Sequence, residues 1–169
     1  MRISAKTRRI LEISANLAIL IVAIIVIRNF IWSKWQPKQQ VEGPIVGSKV
    51  SLPGVNWHDG TTLVLALQQG CSYCEESAAF YRRLRDQRSG SRPRMVAVVP
   101  GDKTEVARYL SEREIIVDDI INLSLSDIRV LGTPTLLLVD RSGTVSDVWI
   151  GKLDARKETE AAQRILDSH

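Results

Sequence analysis

Cysteine is scarce in this chain: two residues in 169, Cys71 and Cys74. A disulfide-stapled fold needs more cysteines spread along the sequence, and a pair three positions apart closes too small a loop to hold a domain together. Histidine is equally sparse, with only His58 and His169. A tetrahedral zinc site draws on four ligands, so metal binding by the cysteines has few further donors to call on. Aromatic residues make up 5% of the chain. There is no internal repeat and no low-complexity tract, which removes solenoid and fibrous architectures.

A surplus of acid is also missing, but the basic balance is local. The formal net charge is +4. Residues 1–40 alone carry seven basic side chains (Arg2, Lys6, Arg8, Arg9, Arg28, Lys34, Lys38) against one acid, Glu12. The rest of the chain is therefore slightly acidic. Nucleic acid is not an expected partner, because the part that folds has no positive excess. An anionic membrane surface suits the N-terminal cations better.

The same segment contains the one long apolar run, Leu17 to Ile27, LAILIVAIIVI. Extended over residues 10–32, it is long enough to span a bilayer, with Glu12, Asn16, Arg28 and Asn29 near the ends. Trp32 and Trp35 suit the far interface. The run is followed by Arg28-Asn29-Phe30-Ile31-Trp32 and not by small residues, so an uncleaved anchor is expected over a signal peptide. Basic residues before the run slightly outnumber those after it. This favours a cytoplasmic N-terminus with the rest of the chain extracytoplasmic, on the periplasmic side of the inner membrane in a bacterium. The expected organisation is a basic anchor segment over 1–35, a polar linker over 36–45 containing Pro37, Gly43 and Pro44, and one folded domain over 46–169.

Within that domain, strand-like and helix-like segments alternate. Thr61–Leu67 and Met95–Val99 are unbroken apolar runs, as in strands buried on both faces. Cys71 to Arg88 has helical spacing, with Cys74, Ala78, Tyr81 and Leu84 on one face. Asp102 and Glu105 begin a helix to Glu112 with a capping-box pattern. Ile115–Val117 reads as a short strand and Ser126–Leu131 as a short helix stopped by Gly132 and Pro134. Thr135–Asp140 and Thr144–Ile150 flank Arg141-Ser142-Gly143, a hairpin pattern. Asp154 to Asp167 is amphipathic and helical. The fold class is α/β, a mixed sheet flanked by helices.

Cys71-Ser72-Tyr73-Cys74 sits where a buried strand gives way to a helix. A helix N-terminus carries partial positive charge and unpaired N–H groups, both of which favour a thiolate. Cys71 is then the attacking sulfur and Cys74, one turn on, the resolving one. Glu75 and Glu76 oppose this, because negative charge near Cys71 disfavours its thiolate. Gly132-Thr133-Pro134-Thr135 places a proline directly before a strand, a position that often marks a cis peptide, although on the statistics of X–Pro bonds alone an ordinary trans bond is expected.

The strand ending in CSYC, the following helix and GTPTLLLVDRSGTV together resemble the thioredoxin superfamily over about residues 46–168. The extra length before GTPT and the N-terminal anchor resemble its TlpA/ResA-like branch of extracytoplasmic thiol-disulfide oxidoreductases. That resemblance implies a redox-active Cys71–Cys74 disulfide with no other cofactor and no metal. It implies protein thiols and disulfides as substrates, and a redox partner in or outside the membrane. It implies a cis Pro134 beside the disulfide, with Thr133, Pro134, Ser72 and Tyr73 meeting substrate. Three departures stand out. Gly70 replaces the common Trp before the first cysteine, the helix lacks the frequent proline, and the strand LVLALQQ has no buried acid, only Gln68 and Gln69. Tyr73 and Thr133 resemble the disulfide isomerases and glutaredoxins, so the direction of electron flow is open. Two other readings stay open on the residues: a non-catalytic thioredoxin-like module of a membrane complex, and a metal carrier using the two thiols.

Overall fold

The structure is a computed structural model that describes residues 17, 19–23, 25–28, 43–44, 46–88 and 93–168. The chain divides into two units, Met1–Gln40 and Val41–His169. In the first, residues 17, 19–23 and 25–28 are helical and exposed. Among the described residues no helix is long and apolar enough to cross a membrane. Most of the flanks of the expected span over residues 10–32 lie outside the described residues.

The second unit runs β1 (Thr62–Ala66), α1 (Ser72–Glu76), α2 (Ala78–Gln87), β2 (Arg94–Val98), α3 (Lys103–Glu112), β3 (Asp119–Ile121), β4 (Thr135–Val139), β5 (Val145–Ile150) and α4 (Ala155–Leu166). The sheet order is β3-β2-β1-β4-β5. β1, β2 and β3 are mutually parallel, and β4 runs antiparallel to both β1 and β5. Every residue of β1 and β4 is buried, as the unbroken apolar runs require of central strands.

Alternation along the strands divides the core in two. Leu63, Leu65, Met95, Ala97, Leu136 and Leu138 pack with residues of all four helices, among them Cys74, Tyr81, Tyr109 and Ile165. Val64, Ala66, Val96, Val98, Leu137 and Val139 pack instead against Val50, Leu52, Ile128 and Val130 from the connecting segments. A one-residue slip of register would exchange the two sets, so the site at the end of β1 is held by both layers.

Local structure departs from the sequence pattern at three places. The helix expected over Cys71–Arg88 is two, broken at Ser77. The Ser77 hydroxyl donates to the Tyr73 carbonyl at 2.8 Å, a back-bond that bends helices without a proline. The strand expected over Ile115–Val117 is displaced to Asp119–Ile121. Glu114 takes a left-handed φ of 53°, and Ile115 N–H closes onto Leu110 O at 2.9 Å while Glu114 N–H bonds Ser111 O at 3.0 Å. This is a Schellman cap on α3, with Ile115 as its apolar contact; no glycine marks it. The helix expected over Ser126–Leu131 is a 3-10 turn at Leu125–Ile128, ended by the same device at Arg129, φ 57°.

The hairpin follows the expected pattern. Gly143 has φ 75°, and a Cβ there would come within 3.0 Å of the Trp57 ring, so both backbone and packing require glycine. Asp102 caps α3 by accepting from Thr104 N–H and Glu105 N–H, at 2.8 Å and 3.2 Å.

Candidate active site

The two cysteines meet at the carboxyl end of β1, where α1 begins. Cys71 is the N-cap of α1 in extended conformation. Its Sγ accepts the Cys74 N–H at 3.2 Å, taking the place a serine or aspartate oxygen usually holds. Its carbonyl accepts the first helical bonds, from Cys74 N–H at 3.0 Å and Glu75 N–H at 3.2 Å. The sequence allows this because Gly70 has φ +74°, a backbone that any side chain there would enter only with strain. The missing Trp is thus explained locally by the turn that delivers Cys71.

Both cysteines are free thiols. Cys71 is half-buried and Cys74 is fully buried, at 0% exposure. Their electrostatics diverge. Burial works against a Cys71 thiolate, yet hydrogen bonds from the Cys74 thiol, the Thr133 side chain and the N–H groups of Cys74 and Tyr73 outweigh it and hold its pKa below the ordinary thiol value. Burial pushes Cys74 up to about 12, aided by its bond to Cys71. One sulfur is prepared to attack and the other keeps its proton, which is the division of labour thiol-disulfide exchange needs.

Glu75 and Glu76, expected to work against Cys71, are each held by a cation. Glu75 pairs with Arg113 and Glu76 with Lys152. Both carboxylates are therefore partly screened from the sulfur.

The Thr133–Pro134 peptide is cis. The Cys71 S–H points at the Thr133 carbonyl, 3.5 Å away. Thr133 is half-buried and Pro134 buried. The Pro134 carbonyl accepts Gly151 N–H at 2.7 Å, and the Thr135 hydroxyl donates to Gly132 O at 2.7 Å, so the loop is fixed from both sides. Ser72 and Tyr73 are exposed on the first turn of α1, Tyr73 at 57%. All six residues singled out in the sequence thus belong to one locality.

Among the described residues no group of three or more His, Cys, Asp or Glu is placed to hold a metal. His58 is exposed in a 3-10 turn over Trp57–Asp59.

Sequence reasoning missed Arg113 and Tyr109. Arg113 lies past the end of α3, yet its guanidinium stacks 4.3 Å above the Tyr109 ring and reaches Glu75 in the cysteine helix. No local pattern signals that contact.

No family model matches the chain, and no curated protein does. Solved structures do. A thiol-disulfide isomerase from Corynebacterium glutamicum aligns with a TM-score of 0.56 at 16% identity, over 73% of this chain and 94% of its own. The thioredoxin domain of a thiol-disulfide oxidoreductase from Bacteroides vulgatus aligns at 0.53 and 14%, over 74% and 98%. StoA from Bacillus subtilis aligns at 0.51 and 15%, over 69% and 93%. The second unit has the thioredoxin fold. Its cysteine pair stands at the strand-to-helix junction, beside the cis-proline loop.

Proposed function

We propose that the protein is a membrane-anchored, extracytoplasmic thiol-disulfide oxidoreductase that works through the Cys71–Cys74 couple. One observation carries the reading. Cys71 caps a helix with its thiolate favoured, 3.5 Å from the Thr133 carbonyl of a cis-proline loop, while Cys74 is buried and protonated one turn behind. In exchange, the Cys71 thiolate attacks a substrate disulfide and forms a mixed disulfide. Cys74 then attacks Cys71, releasing the substrate thiol. Protein thiols and disulfides are the substrate class, with Ser72, Tyr73, Thr133 and Pro134 as the surrounding contact surface. A redox partner in or outside the membrane resets the couple, and no further cofactor is required.

The anchor and its orientation rest on the apolar run over residues 10–32 and its basic flanks. An oxidising compartment outside the cytoplasm gives a dithiol protein its task.

The test is insulin reduction and scrambled-substrate refolding by the full chain in detergent, against a Cys71→Ser variant. Activity in the parent and none in the variant is expected; equal behaviour of the two refutes the reading. The reduction potential of the couple then fixes direction, with about −270 mV marking a reductant and about −120 mV an oxidant. Protease digestion of sealed, right-side-out vesicles tests the topology, and protection of residues 46–169 would refute it.

A further inference from the structure

Among the described residues of the second unit, five large apolar side chains are exposed: Val46, Tyr73, Ile116, Leu131 and Ile150. Apolar residues scattered singly over a surface are ordinary. Three of these five are not scattered. Leu131 and Ile150, at 63% and 62% the most exposed of the set, flank the cis-proline loop, and Tyr73 stands on the cysteine turn.

Each is tied to the attacking sulfur by a short path. Leu131 lies two residues before Thr133, whose carbonyl is 3.5 Å from Cys71 Sγ. Ile150 is paired directly with Thr135 across β4 and β5, and the next residue, Gly151, bonds the Pro134 carbonyl at 2.7 Å. Directly opposed residues carry their side chains on one face of a sheet, with Cβ atoms about 5 Å apart. The Thr135 hydroxyl donates to Gly132 O at 2.7 Å, so the residue after Leu131 lies on that same face. Tyr73 follows Cys71 by two residues on the first turn of α1.

Charge is nearly absent from this surface. Residues 130–135 and 148–151 carry no ionisable side chain. The acids of the cysteine helix are already paired, Glu75 with Arg113 and Glu76 with Lys152. The nearest cations along the chain, Arg129 and Lys152, stand at the margins. A charged partner segment would lose water here with little to replace it, whereas an apolar one gains from the area it takes out of water.

We propose that Leu131, Ile150 and Tyr73 form a docking rim for an extended, uncharged segment of a partner protein that carries apolar residues two positions either side of its reactive cysteine. This rests on the oxidoreductase reading above and adds a specificity to it. In an extended segment, side chains two positions apart share a face and stand about 6.5 Å from each other. Leu131 is the same two-residue span from the carbonyl beside Cys71. A partner sulfur brought to Cys71 therefore carries its neighbours two positions away onto the rim.

The experiment uses the reduced full chain in detergent and three disulfide-linked peptide dimers, of Leu-Gly-Cys-Gly-Leu, Ser-Gly-Cys-Gly-Ser and Asp-Gly-Cys-Gly-Asp. Each turnover joins Cys71 to Cys74 and splits one dimer into two peptide thiols, with two electrons and two protons passing to the peptide. Acid quenching and mass spectrometry follow oxidation of the chain. The parent should react about ten- to one-hundredfold faster with the leucine dimer than with the serine dimer, as partial burial of two leucine side chains implies. Leu131→Ser with Ile150→Ser should cut that ratio about tenfold. A ratio taken within one variant is not moved by loss of folded protein, and comparison with the parent cancels partition of the leucine dimer into detergent. Leu131→Lys should put the aspartate dimer about two- to fivefold ahead of the serine dimer, a gain that misfolding does not produce. A leucine-to-serine ratio near one in the parent, or one unchanged in the double variant, overturns the proposal. A parent that prefers the aspartate dimer overturns it as well and assigns the selection to Arg129 and Lys152. A parent oxidised by none of the three dimers overturns the oxidoreductase reading and this proposal together.

Discussion

Cys71→Ser isolates Cys74 and makes its protonation measurable. The substitution puts a hydroxyl oxygen where the sulfur caps the helix, so α1 retains its start. Burial is the largest cause of the raised Cys74 pKa and survives the change, whereas the smaller contributions of the Cys71 thiol, its hydrogen bond and its charge, are removed, so the parent's value is an upper bound for the variant. At pH 7 a thiol at the ordinary value of 9.0 is about 1% ionised, whereas one at about 12 is about 0.001% ionised. Only the thiolate is alkylated, so ionisation alone slows the folded Cys74 by up to about a thousandfold against the same residue in the denatured chain. Full burial adds steric protection to that factor. The assay is iodoacetamide labelling of the variant at fixed pH, native and in denaturant, with the adduct at residue 74 followed by mass spectrometry. The native rate should rise about tenfold per pH unit through pH 9 and beyond, where the denatured rate levels off. A native rate within about tenfold of the denatured one at pH 7 would show that Cys74 ionises freely and would refute the assignment of resolving and attacking sulfurs.

Two further outcomes follow from the same electrostatics. The reduced protein should be most stable near pH 9 relative to its oxidised form. The lowered Cys71 pKa gives stability that is lost as pH falls through its folded value, and the raised Cys74 pKa gives stability that is lost as pH rises above 9.0. Melting curves of both redox forms across pH check this, and a gap that does not change with pH refutes it. Asp118→Asn should destabilise by about 1–3 kcal/mol at neutral pH, because Asp118 Oδ1 accepts Arg88 Nη2 at 2.9 Å and Oδ2 accepts Met95 N–H at 2.8 Å. Burial raises the Asp118 pKa, but Arg88 and the Met95 N–H more than offset it, so the deficit should be present above the ordinary 3.8 and close as acid protonates the parent; denaturant titration at neutral and acid pH reads it.

The legible parts of the fold were those in which one signal outweighed all others. β1 and β4 are apolar throughout because both faces are covered, and Gly143 marks its hairpin because only glycine fits beneath Trp57. The cysteine pair was legible because few other chemical groups compete with it in the sequence. The misplaced β3 has a specific cause. Ile115 looks like the start of a strand, yet it serves as the apolar stop of a Schellman cap built on Glu114, a residue that gives no warning of a left-handed backbone. The true strand begins with Asp119, whose type disfavours strands. The break at Ser77 was hidden for a similar reason, since a side-chain back-bond leaves no trace in hydrophobic period.

Residue spacing made the site legible along the chain and not across it, and Thr133 and Pro134, which meet Cys71 from more than sixty residues away, were reached only through the family resemblance. Cys74 and Tyr81 share a helical face that the spacing reveals, whereas Tyr109 and Arg113 arrive from α3 through tertiary packing. A contact made by tertiary packing leaves no period in the sequence, so the hold of Arg113 on Glu75, and with it the partial screening of that carboxylate from Cys71, follows from the fold and from no local pattern.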